Sequence, residues 1–101
     1  GKPGIVVLQL TGNADFKQSA FVLGDKKQLQ LVAYNFGEQA ARGTLEVKGG
    51  EVESHELEVK PGERATREIA VKAAGELSVA FESEKSGRAI VSARIVESAS
   101  P

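Results

Sequence analysis

The sequence contains no cysteine, no methionine and no tryptophan, and a single histidine, in 101 residues. Without Cys there can be no disulfide, thiol nucleophile, Cys-bound zinc or iron–sulfur cluster. One His and two Asp leave little with which to ligate a metal, so no cofactor is expected. No stretch approaches the roughly 18 to 20 consecutive apolar residues that a bilayer-spanning helix needs, and no membrane insertion is expected. Neither sign of charge dominates: 13 Lys and Arg stand against 14 Asp and Glu, a net charge of -1. The basic field that binds nucleic acid is therefore missing, and nucleic acid is not an expected partner. A sequence without Met does not begin at its own initiator, and its flanks, Gly1-Lys2-Pro3-Gly4 and Ser98-Ala99-Ser100-Pro101, have the small, polar, Pro-bearing character of linkers. The expectation is one domain over residues 1–101, excised from a larger multidomain protein.

What the sequence does contain is period-two alternation, broken at short intervals by Gly, Pro or polar clusters, which is the pattern of an all-β sandwich. The clearest run is Gln28-Leu29-Gln30-Leu31-Val32-Ala33-Tyr34, with Leu29, Leu31 and Ala33 on one face of a strand. Asn35-Phe36-Gly37-Glu38 then reads as a loop, because Asn can bond its own backbone and Gly accepts positive φ. A second run covers Ala41 to Lys48, and Gly49-Gly50 predicts a tight hairpin into a returning strand from Glu51 to Val59. Lys60-Pro61-Gly62-Glu63 has the composition of a type II turn, which splays hairpin strands and so suits a crossing between sheets. Further runs at Ala65 to Val71, Leu77 to Phe81 and Arg88 to Glu97, with apolar stretches at Ile5 to Leu10 and Ala20 to Leu23, bring the total to about eight strands. The alternating phases predict a core of Leu29, Leu31, Leu45, Val47, Ile69, Val71, Leu77, Val79, Phe81, Val91 and Ile95.

The order of these features, a strand ending in Tyr34-Asn35-Phe36-Gly37 and a Pro61-Gly62-Glu63 turn leading into Ala65 to Val71, resembles bacterial immunoglobulin-like accessory domains. The nearest types are the cell-adhesion-related CARDB domain and fibronectin-III-like modules, and the likeness covers roughly Lys26 to Glu97. It implies a two-sheet antiparallel immunoglobulin-like β-sandwich of about seven to eight strands. It also implies a non-catalytic spacer or packing role within a secreted or cell-surface protein.

Four constellations merit weighing as sites. His55 shares a strand face with Glu53 and lies beside Ser54 and Glu56, but no Gly-x-Ser-x-Gly elbow accompanies it, and an exposed strand His is the plainer reading. Glu56 and Glu58 are about 6.5 to 7 Å apart by strand rise, within the roughly 5 to 10 Å that paired glycosidic carboxylates span. They have no aromatic platform for a sugar, and glutamates commonly line the wet face of a strand. Asn13 and Asp15 supply only two oxygens to a possible calcium loop, and Asp25 sits beside Lys26 and Lys27, which repel a cation.

The fourth constellation is Val32, Tyr34 and Phe36, opposite in phase to the leucines of their strand. Outward, they form a candidate interaction surface for a neighbouring domain of the parent protein or, alternatively, for a polysaccharide. Otherwise a bulge near Tyr34 tucks its ring under a loop. Charge is uneven as well: residues 1–50 carry six basic and four acidic side chains, and residues 51–101 carry seven and ten. The glutamates 51, 53, 56 and 58 gather on one arm, where charge deters edge-to-edge pairing if that arm is a sheet edge.

Overall fold

A computed structural model describes residues 4–101, so of the N-terminal flank only Gly4 falls among the described residues. The strands are β1 (Val6–Thr11), β2 (Ala14–Asp15), β3 (Ala20–Val22), β4 (Gln28–Asn35), β5 (Ala41–Lys48), β6 (Glu56–Val59), β7 (Arg64–Ala70), β8 (Gly75–Ser83) and β9 (Gly87–Val96). They form a three-stranded sheet, β1-β4-β7, and a six-stranded sheet, β2-β3-β9-β8-β5-β6. This is an immunoglobulin-like β-sandwich. Every pairing is antiparallel except the short β3–β9 contact, where Phe21 and Val22 run parallel beside Ile95 and Val96. The polar connection after β1 thus carries the chain from one sheet to the other, with β2 as a small added strand.

The alternation places the core as its phases require. Leu29, Leu31, Leu45, Ile69, Val71, Leu77, Val79, Phe81 and Ile95 are all buried between the sheets. Val47 and Val91 point the same way but are only partly covered. The cause lies in their neighbours: β6 pairs with β5 only as far as Thr44, and β3 flanks β9 only at Ile95 and Val96. Arg67 also falls in the inward phase, at the sheet's edge, where its guanidinium leaves the core by donating to the carbonyls of Thr66 and Glu56.

The turns divide. Lys60 to Glu63 is the predicted type II turn: the Glu63 N–H donates to the Lys60 carbonyl at 3.1 Å and Gly62 has φ +73°. It crosses between the sheets, joining β6 to β7. Gly49-Gly50 is not a tight hairpin. After β5 the chain swings toward the other sheet, where Glu51 and Ala70 exchange two backbone hydrogen bonds of 2.9 Å, and only then returns to pair β6 with β5. Of the two glycines only Gly49 has positive φ, +88°. Gly50 is required for space: a Cβ there would lie 2.8 Å from the Ile69 side chain and 2.9 Å from the Ala70 carbonyl oxygen. The returning strand is correspondingly short, and it forms the outer edge of the six-stranded sheet with Glu56 and Glu58 on its exposed face.

Candidate interaction surface

β4 is the central strand of its sheet and pairs without interruption with β1 on one side and β7 on the other. No bulge interrupts it at Tyr34. Its outward side chains are therefore Gln28, Gln30, Val32 and Tyr34, and here the expected stripe needs correction. Val32 points outward but is only 4% exposed, because Gln9 and Thr66 flank it in register on the two neighbouring strands. A central strand position is covered laterally by its neighbours' side chains, without any second layer. Val32 is not available to a partner.

Tyr34 is half-buried, and Phe36, just past the strand's end, is 68% exposed. Their rings stack with centroids 6.1 Å apart and planes 15° from parallel. The Tyr34 hydroxyl points to the Gln9 side-chain oxygen at 3.5 Å, too long to restrain the ring strongly. Val7 lies in register with Tyr34 on β1, and Ile5 accepts the Phe36 N–H on its carbonyl at 2.8 Å. Ile5 and Val7 are each about half exposed, at 51% and 49%. The apolar surface is therefore Ile5, Val7, Tyr34 and Phe36, at the end of the sandwich where β1 begins. Ile5 and Val7 were legible as the phase opposite Leu8 and Leu10. The apparent continuity of the run from Ile5 to Leu10 hid that alternation.

Beneath this surface sits Asn35, the buried polar residue of the core region, 1% exposed. Its side-chain oxygen accepts from the N–H groups of Ile5 (3.0 Å) and Gly37 (2.9 Å). Its amide nitrogen donates to the carbonyls of Gln39 (2.8 Å) and Val59 (2.9 Å). Its backbone bonds Glu63 and Gly62 of the type II turn. The predicted Asn turn is present, but the residue does far more than close it: it fixes the backbone from which Phe36 and Ile5 project.

Of the other candidates, His55, Glu58 and Asp15 make structural contacts. His55 is exposed, and its Nδ1 lies 2.9 Å from the Leu45 carbonyl. A carbonyl only accepts, so that nitrogen carries a proton. Glu58 pairs with Arg42 across the β5–β6 ladder. Asp15 accepts from the Lys17 N–H, the Gln18 side-chain amide and the Ser100 N–H, and those donors, Ser100 first, hold its carboxyl below the usual aspartate range. No group of three or more His, Cys, Asp or Glu side chains among the described residues is arranged to hold a metal. Phe16, 91% exposed on the turn after β2, lay inside a polar stretch that gave no periodic signal.

A solved structure of similar shape supports the sandwich assignment. The D00-D0 domain of intimin superimposes with a TM-score of 0.62 over 95% of this chain, at 8% identity. The present chain spans 48% of that one's length. At such identity the likeness speaks to fold. No protein-family model and no curated protein matches the sequence.

Proposed function

We propose that this chain is a non-catalytic accessory module of a larger bacterial protein, secreted or displayed at the cell surface, and that it packs a neighbouring domain against Ile5, Val7, Tyr34 and Phe36. The observation that carries the proposal is the stacked Tyr34–Phe36 pair, held on a rigid backbone by Asn35 while Phe36 stays two-thirds exposed. Aromatic side chains bring large contact area with few torsions to freeze, so a few of them can dominate a modest interface. The shape shared with an intimin domain fits an accessory module of a bacterial surface protein. Kinship with CARDB or fibronectin-III-like modules, as part of this reading, rests on the Asn35 and Pro61-Gly62-Glu63 turns.

The test is the double substitution Tyr34→Ser with Phe36→Ser, made in the isolated chain and in the longer parent. The isolated fold should keep most of its stability, while protease should cut the junction with the neighbouring domain faster. Loss of folding in the isolated chain would make these rings core. Loss of polysaccharide retention with the junction intact would favour a carbohydrate-binding module, the alternative use of the same rings.

A further inference from the structure

At the opposite end of the sandwich, where β9 finishes, the turn between β2 and β3 holds the last residues of the chain by their main chain. Asp15 accepts the Ser100 N–H on the same carboxylate oxygen that receives the Gln18 amide. That amide also donates to the Ser98 carbonyl at 2.9 Å, and the Lys17 ammonium donates to the Pro101 carbonyl oxygen at 3.3 Å. Three side chains of one short turn thus grip three positions of the tail, and Asp15 is itself oriented by the Lys17 N–H at 3.0 Å. The turn is anchored in turn: β2 pairs with β3, β3 with β9, and the Val22 and Leu23 N–H groups bond Asn13 and Val96.

A tail of Ser98-Ala99-Ser100-Pro101 has the composition of a flexible linker and no apolar side chain large enough to pack, so left to itself it would sample many directions. We infer that the β2–β3 turn is a clamp that fixes the direction in which the chain leaves the sandwich, making the C-terminal junction stiff. Because the grip is on N–H and C=O groups, it depends on the turn's side chains and tolerates change in the tail's own. The clamp also gives a role to the long, polar stretch between β1 and β3, where a short switch between sheets would suffice. The inference is independent of the Tyr34 surface, which lies at the other end.

The test is backbone ¹⁵N relaxation on the chain and on its Asp15→Ala variant. In the parent, the Ser98, Ala99 and Ser100 amides should have order parameters near the roughly 0.85 of rigid backbone, and in the variant below about 0.6, with β8 and β9 unchanged. Asp15→Asn, which keeps an acceptor oxygen, should restore much of the order. Should Asp15→Ala also disorder Val22 and Leu23, the Gln18→Ala variant decides, since it removes the Ser98 contact and leaves Asp15 in place: Ser98 should then loosen. A tail that is already mobile in the parent, or that stays rigid in both alanine variants, would overturn the clamp.

Discussion

The side-chain amide of Asn35 donates to the carbonyl of Val59 at 2.9 Å, and this bond ties the three-stranded sheet to the six-stranded one. Asn35→Ala would remove the bonds that the Val59 and Gln39 carbonyls accept from it and that the Ile5 and Gly37 N–H groups donate to it. Each buried group stranded by that loss costs about 1 to 3 kcal/mol, so the variant should lose on the order of 3 kcal/mol or more in urea unfolding. Asn35→Asp keeps the acceptor but turns a donor into a carboxylate oxygen facing two carbonyls. Its folded-state pKa should be raised, so that this variant is less stable at pH 7 than near pH 4, with stability falling as pH rises.

Phe81 is 1% exposed in the middle of the core. Its truncation to Ala should cost about 3 to 5 kcal/mol, a large share of the roughly 5 to 15 available to a domain. Unfolding within about 1 kcal/mol of the parent would contradict this placement of β8.

The glycines separate strain from crowding. A Cβ on Gly62 meets nothing within 4 Å, yet its φ is +73°, so Gly62→Ala should cost about 1 to 2 kcal/mol through backbone strain alone. Gly50→Ala should destabilise by collision with Ile69 and Ala70 instead. A gain in melting temperature for Gly62→Ala would rule out the type II geometry.

Much of this architecture was legible because a sandwich buries alternate residues. Leu29, Leu31, Leu77, Val79 and Phe81 needed only phase to be placed. What phase could not supply was lateral context. Val32 is outward yet covered because its strand is central, and Val47 and Val91 are inward yet partly open because their flanking strands stop short. The Gly49-Gly50 signal was misleading because a pair of glycines fits two geometries, and contact with β7 at Glu51 and Ala70 selected the wider one. The Asn35 network and the Asp15 clamp join residues far apart in sequence, and no local pattern marks such partners.

Asp15 also gives the fold an acid-sensitive corner. Its carboxyl sits below the usual aspartate range because its charged form accepts the Ser100 and Gln18 donors. A depressed folded-state pKa contributes stability above the unfolded value and loses it as pH falls through the folded one. Tail order at Ser98 to Ser100 should therefore persist at mildly acidic pH and weaken only below the ordinary aspartate range. An NMR pH titration of these amides checks it, and release of the tail well above that range would contradict the assignment of Asp15 as the group responsible.

The central claim, that Tyr34 and Phe36 face a neighbouring domain, is tested most directly at the Phe36 ring. With a fluorinated phenylalanine at position 36, ¹⁹F NMR with a soluble paramagnetic relaxation agent reads the ring's contact with solvent in the isolated chain and in the longer parent. The account predicts strong relaxation enhancement in the isolated chain, where the ring is 68% exposed, and marked protection in the parent. Equal enhancement in both would contradict it.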